Sequence, residues 1–184
     1  MKIKGLVLFA RREFVKEHFG EDAWNQVLSA LTAEDQEELE LILATKWYPF
    51  ETGDRLDRAV VDILGNGQEN FFEEIGAESA RRSLKKEHKL FLMPGDPQAF
   101  MEKANTIYKF YYNVGYREYE RTGPNSGILT TFEAETFSAP DCLTVIGWYR
   151  EALKMCGVKD VQIVEQECRA KGGSVCRYHF QWEI

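Results

Sequence analysis

The chain has 184 residues, 44% hydrophobic and 29% charged, with 23 Lys+Arg against 30 Asp+Glu and a formal net charge of −7. This is the composition of a globular chain long enough for a sizeable core, and it excludes intrinsic disorder. The acidic balance also excludes nucleic acid as the main partner, because phosphate binding needs a basic footprint.

Leu6 to Ala10 is too short a run for a secretory segment, and no stretch approaches the ~18 apolar residues of a membrane span. A cytoplasmic location is expected, with the 4 Cys as thiols or metal ligands rather than disulfides. Residues 3–19 carry Leu6, Val7, Phe9, Phe14, Val15 and Phe19 at helical spacing, with a stop at Gly20. Asp22 can cap a helix to Leu31, and Thr32-Ala-Glu-Asp35 opens another to about Thr45. Trp47-Tyr48-Pro49-Phe50 predicts an extended or turn segment. Residues 53–64 are helical again, closed by Gly65-Asn66-Gly67. Residues 68–91 predict one or two helices with a basic face from Arg81 to Lys89. After the Pro94-Gly95-Asp96-Pro97 linker, a helix is expected from Pro97 to Asn113. Tyr116 to Arg121 and Ile128 to Thr136 then predict strands around a Gly123–Gly127 turn. A helix from about Ser138 to Met155 follows, then strands at 158–168 and 175–183. The fold class is α+β: a helical half, about 1–113, packed on an antiparallel sheet of β-β-α-β-β order, about 114–184, in a single domain spanning 1–184.

All four cysteines fall in the last quarter. A hairpin closed by Ala170 to Ser174 sets Cys168 opposite Cys176, where cross-strand Cβ atoms lie about 4.5–5.5 Å apart. Two thiolates there can share a tetrahedral metal, and Cys142, at a helix start, can supply a third. Strict alternation turns Glu165 and Glu167 away from Cys168, so a Glu165 ligand needs a bulge and the fourth ligand stays open. Buried core cysteines and a cross-strand disulfide are the alternatives. Cys156 reads as a core residue.

Cys142, Glu165, Cys168, Gly172-Gly173 and Cys176, followed by Tyr178, Phe180 and Trp182, resemble the closing motif of the vinyl-reductase-type ligand-binding domain. In phenol-sensing regulators that domain holds zinc through three Cys and one Glu in this order. The resemblance therefore implies a structural zinc at Cys142, Glu165, Cys168 and Cys176, with no open coordination position. The start of the chain, with Lys4-Gly5-Leu6, Phe14-Val15, His18-Phe19-Gly20 and Trp24, resembles an H-NOX (haem-nitric-oxide) domain. Trp47-Tyr48-Pro49, Tyr111-Tyr112-x-x-Gly115, Cys142 with Gly147-Trp148, and the Cys168/Cys176 hairpin are similar to a large myxobacterial paralogous family. An H-NOX domain holds haem through a His on the helix before the sheet and grips it with a Tyr-x-Ser-x-Arg run. Here residues 97–113 have no His, the nearest equivalents being Ile107 or Tyr108. Thr136-Phe137-Ser138-Ala139-Pro140 keeps only the Ser. Haem is thus not expected.

The aromatic residues, 12 Phe, 8 Tyr and 4 Trp, make either a plain core or an apolar pocket between the halves, with Trp47, Tyr108 and Tyr111 as candidate ligand contacts. His18, His88 and His179 have no nucleophile at informative spacing, so an enzyme is not expected. The leading expectation is a sensor or regulatory module with structural zinc that binds a small apolar molecule and signals to a protein partner, with a homodimer allowed. A ligand-free scaffold is the alternative, and haem-based gas sensing the third reading.

Overall fold

A computed structural model describes residues 1–86, 88–135 and 138–184. It is an α+β structure in which a helical layer leads into a four-stranded antiparallel sheet. The first strand, β1 (Lys2–Lys4), pairs antiparallel with β2 (Trp47–Pro49), Ile3 opposite Tyr48. The helix expected from residue 3 is therefore shortened to α1 (Gly5–Phe19), because its first residues extend to meet β2. Helices α2 (Glu21–Ser29) and α3 (Ala33–Glu40) follow. The Thr32 side chain caps α3, accepting the Asp35 N–H at 3.2 Å while its hydroxyl donates to the Asp35 carboxylate at 2.9 Å, which satisfies a free first-turn amide.

That helix was expected to reach Thr45 but stops at Glu40. The segment after it is used to close the start of α1. Carbonyls of Lys46 and Ala44 accept the Gly5 and Leu6 N–H groups. A helix there would have spent those carbonyls on its own ladder. Helix α4 (Phe50–Leu64) begins three residues earlier than its apolar spacing predicts, directly after β2. Helix α5 (Asn70–Lys85) is followed by a 3-10 turn, Lys89–Phe91, and position 87 between them lies outside the described residues.

The single helix predicted over 97–113 is two: α6 (Pro97–Met101), capped by Asp96, and α7 (Ala104–Tyr111). Between them Lys103 N–H binds the Phe100 carbonyl at 3.1 Å, a tighter three-residue closure that turns the chain. The sheet then forms from β3 (Tyr116–Gly123), β4 (Ser126–Phe132), β5 (Asp160–Glu167) and β6 (Cys176–Glu183) in the order β3-β4-β6-β5. The second strand ends at Phe132 rather than Thr136, and Thr136 and Phe137 lie outside the described residues. Between β4 and β5 runs α8 (Ala139–Met155), capped by Ser138 with Pro140 in the first turn, as that sequence favours. On β6, Cys176, Tyr178, Phe180 and Trp182 alternate inward and are all buried.

Two apolar clusters result. One fills the space among α1 to α4 and the start of α5, the other the space among the sheet, α6, α7 and α8. Val7, Tyr112 and Leu143 pack against both and so mark the seam. The helices α5 and α8 cross there at backbone distance. A Cβ on Gly76 would strike the Thr144 carbonyl, and one on Gly147 the Glu73 carbonyl. Only glycine permits that approach.

Candidate functional site

The seam holds a cavity of about 40 Å³ whose lining includes Ile107, Tyr111, Tyr112, Arg117, Trp148 and Tyr149. Strand alternation carries Arg117 into it. On β3, Arg117 and Tyr119 face inward while Glu118 and Glu120 face solvent. The Arg117 guanidinium lies 4.9 Å from the ring centre of Tyr108, 5.6 Å from that of Tyr149 and 5.9 Å from that of Tyr112. Its Nε–H donates to the Thr131 hydroxyl at 3.0 Å, and the guanidinium also interacts with the Tyr149 hydroxyl. Three aromatic faces thus stabilise a cation held away from water. Behind it, the Tyr112 hydroxyl donates to Asp141 at 2.8 Å. Burial pushes the Asp141 carboxyl up, and the Tyr112 hydrogen bond and Arg117 only partly oppose that. The Tyr149 O–H and Trp148 Nε1–H are buried with no acceptor. Arg11 and Asp57 form a separate buried pair at the edge of the seam, Nε to Oδ1 at 2.9 Å.

A second constellation lies at the sheet end of α8. Cys142 in its first turn, Cys168 just after β5 and Cys176 at the start of β6 bring their sulfurs within 4.8 Å of one another. The Cys142 and Cys168 sulfurs are 3.5 Å apart, and the Cys142 thiol donates to Cys176 at 3.7 Å. That donated hydrogen bond lowers the Cys176 thiol to about 7, and it pushes Cys142 up. The hairpin is as anticipated in kind. The register slips between Glu165 and Glu167, leaving Gln166 as the extra residue of a bulge. Glu165 is outside the sulfur group. Its Oε2 accepts Lys171 Nζ at 2.5 Å, and its Oε1 is buried without a partner. Cys156 ends α8 inside the sheet-side core, away from the other three sulfurs.

The three pocket candidates separate. Tyr111 lines the cavity, its hydroxyl 2.8 Å from His88 Nδ1. Tyr108 stands one layer behind, stacked on Tyr112 at 4.7 Å and donating to the Val114 carbonyl at 2.7 Å. Trp47 lies on β2 under Lys4 Nζ, outside the seam. Arg117 and Tyr149 were missed as site residues. The signal for Arg117 was a charged residue at an inward position of an alternating strand.

A family model described as haem-NO-binding matches residues 4–121. The chain belongs to the haem-NO-binding family. A second model, protein of unknown function DUF2378, matches residues 88–183 of this H-NOX chain. An H-NOX protein from S. oneidensis in the Fe(II)NO state superposes with a TM-score of 0.77 at 16% identity, over 98% of this chain and 99% of that one. An unliganded Fe(II) H-NOX protein from K. algicida gives 0.75 at 11% identity, over 98% and 97%. A mutant H-NOX from T. tengcongensis gives 0.74 at 11%, over 98% of each chain. No curated protein matches.

These findings correct the cofactor expectation. Zinc as the resident group, with haem set aside, does not stand against a haem-NO-binding match and Fe(II) relatives. The cofactor of the family is haem, and the comparisons give zinc no support. The H-NOX resemblance puts the haem-holding residue on the helix before the sheet, here α7, and Ile107 and Tyr111 of that helix line the seam cavity. Pockets for small molecules and cofactors measure about 300–1,000 Å³, against about 40 Å³ here. In this arrangement the side chains at the seam therefore do not fit a haem.

Proposed function

We propose that this H-NOX chain is a non-enzymatic sensor module of the cytoplasm. Its input is a small molecule received at the seam, and its output is a change in the packing of the two halves, read by a protein partner. The observation that carries this reading is the seam itself. It is where two separate cores meet, and it holds a cavity whose lining includes two buried donors with no acceptor, Tyr149 and Trp148. Buried polar groups are normally satisfied, so unspent donors around a cavity support a receiving role. Gas sensing through haem is the second reading, and the family match over residues 4–121 favours it.

Two measurements test these readings. Thermal melts with a panel of formate, acetate, phenol and imidazole should show at least one compound raising Tm, as mass action requires for a ligand of the folded state. The same compound should slow amide exchange in both α5 and β3. A panel without effect removes the seam reading. Titration with haemin, followed by nitric oxide, tests the second reading. A Soret band that moves on addition of the gas supports it, and a spectrum of free haemin at every ratio sinks it.

A further inference from the structure

We propose that the seam cavity receives a small planar oxyanion, a carboxylate or an inorganic oxoanion of three or four heavy atoms, bound by the Arg117 guanidinium and the Tyr149 hydroxyl. This rests on the reading of the seam as the receiving site and names the chemistry of what it receives. Three observations lead there.

The first is charge. Arg117 is 7% exposed, and among the described residues it makes no ion pair. Its Nε–H donates to Thr131 and the guanidinium also interacts with the Tyr149 hydroxyl, but among the described residues no carboxylate pairs with the fork. A guanidinium is always charged and presents a fork matched to two oxygens of one anion. The Asp141 carboxylate, on which the Arg117 charge acts, is engaged by Tyr112 instead. Aromatic faces stabilise the cation but cannot accept its in-plane N–H bonds.

The second is a pair of donors in an otherwise mostly apolar lining. Tyr149 is 0% exposed and its hydroxyl oxygen interacts with the Arg117 guanidinium, but its O–H has no acceptor, and neither has Trp148 Nε1. Both residues line the same cavity as Arg117. The unspent groups are N–H and O–H donors, and a ligand that satisfies them must be an acceptor.

The third is size. One water needs about 10–15 Å³ of such volume, so about 40 Å³ holds a guest of about three such spheres. Formate, nitrite, nitrate and acetate are of that size. Aromatic rings on several sides suit a planar ion lying between them.

Isothermal titration calorimetry of the full chain with sodium formate, acetate, nitrite and nitrate tests the proposal, with formamide and acetamide as neutral isosteres. Saturable binding of at least one anion is expected, with its amide counterpart weaker by about tenfold or more. Tyr149→Phe removes one oxygen and keeps the ring, and should weaken that anion by about tenfold. Arg117→Met should abolish it. If Arg117→Met fails to fold by circular dichroism, the Tyr149→Phe comparison still decides. Amides binding as well as anions would overturn the oxyanion assignment while leaving the seam reading intact. Silence from every anion would overturn it too, and phenol or imidazole binding in the same protein would show whether the seam reading survives. Binding by formate and acetate alone would assign a carboxylate source, and binding by nitrite and nitrate alone an inorganic one.

Discussion

At the scale of single residues, buried charge decides most. Arg11 and Asp57 are both nearly inaccessible and hold each other through two bonds, Nε to Oδ1 at 2.9 Å and Nη2 to Oδ2 at 3.2 Å. Removing one partner strands the other in a low-dielectric interior, so Arg11→Met should cost about 3–5 kcal/mol in urea unfolding. The double variant Arg11→Met, Asp57→Leu should recover much of that loss. Asp35 illustrates the opposite setting. Hydrogen bonds from the Arg55 fork, at 2.7 and 2.6 Å, hold its carboxyl below the ordinary carboxylate range. A depressed carboxyl stabilises the fold fully above its unfolded value of about 3.9 and loses that contribution as pH falls through the lower folded value. Unfolding midpoints should therefore drop below about pH 4, and Asp35→Asn should flatten that part of the profile. Neither pair was legible in the sequence. Arg11 and Asp57 are 46 positions apart, and nothing in residue spacing says that two helices will face charges to each other. The three cysteines were legible because a hairpin and a helix start are local features whose geometry follows from turn residues.

At the scale of elements, local signals were dependable where a cap or turn residue spoke for itself. Thr32, Asp96 and Ser138 each cap the helix they precede. Thr32→Ala should cost about 1 kcal/mol, read as a lower urea midpoint. What residue periodicity missed were elements made by partners. Strand β1 exists because β2 pairs with it, and α3 ends early because its following carbonyls cap α1. The split of α6 from α7 has no glycine or proline to announce it. The α5–α8 crossing is also non-local. Gly76→Ala gains about 1 kcal/mol of helix propensity, but its Cβ would meet the Thr144 carbonyl closer than real Cβ atoms come. Overpacking against backbone costs about 1–3 kcal/mol or more. A net loss of about 1–2 kcal/mol is expected for Gly76→Ala and for Gly147→Ala, measurable by chemical denaturation.

At the scale of the whole molecule, the α+β division into a helical half and a sheet half follows from the change of hydrophobic period near residue 115, and this much was plain in the sequence. The place of the seam was not, because it depends on which faces of α5, α7 and α8 meet. No helix among the described residues is long and apolar enough to cross a membrane. The backbone contact of Gly76 and Gly147 has a mechanical consequence. Two helices touching main chain to main chain cannot slide there, so the contact acts as a fulcrum. The cavity lies beside it, since Gly76 and Thr144 belong to both. From Gly147 to Met155 runs a lever arm of about 12 Å at 1.5 Å per residue. A tilt of about ten degrees, small at the cavity, would swing the far end of that arm by about 2 Å. A binding partner gripping the Met155 end of α8 would feel an occupant that barely disturbs the residues holding it.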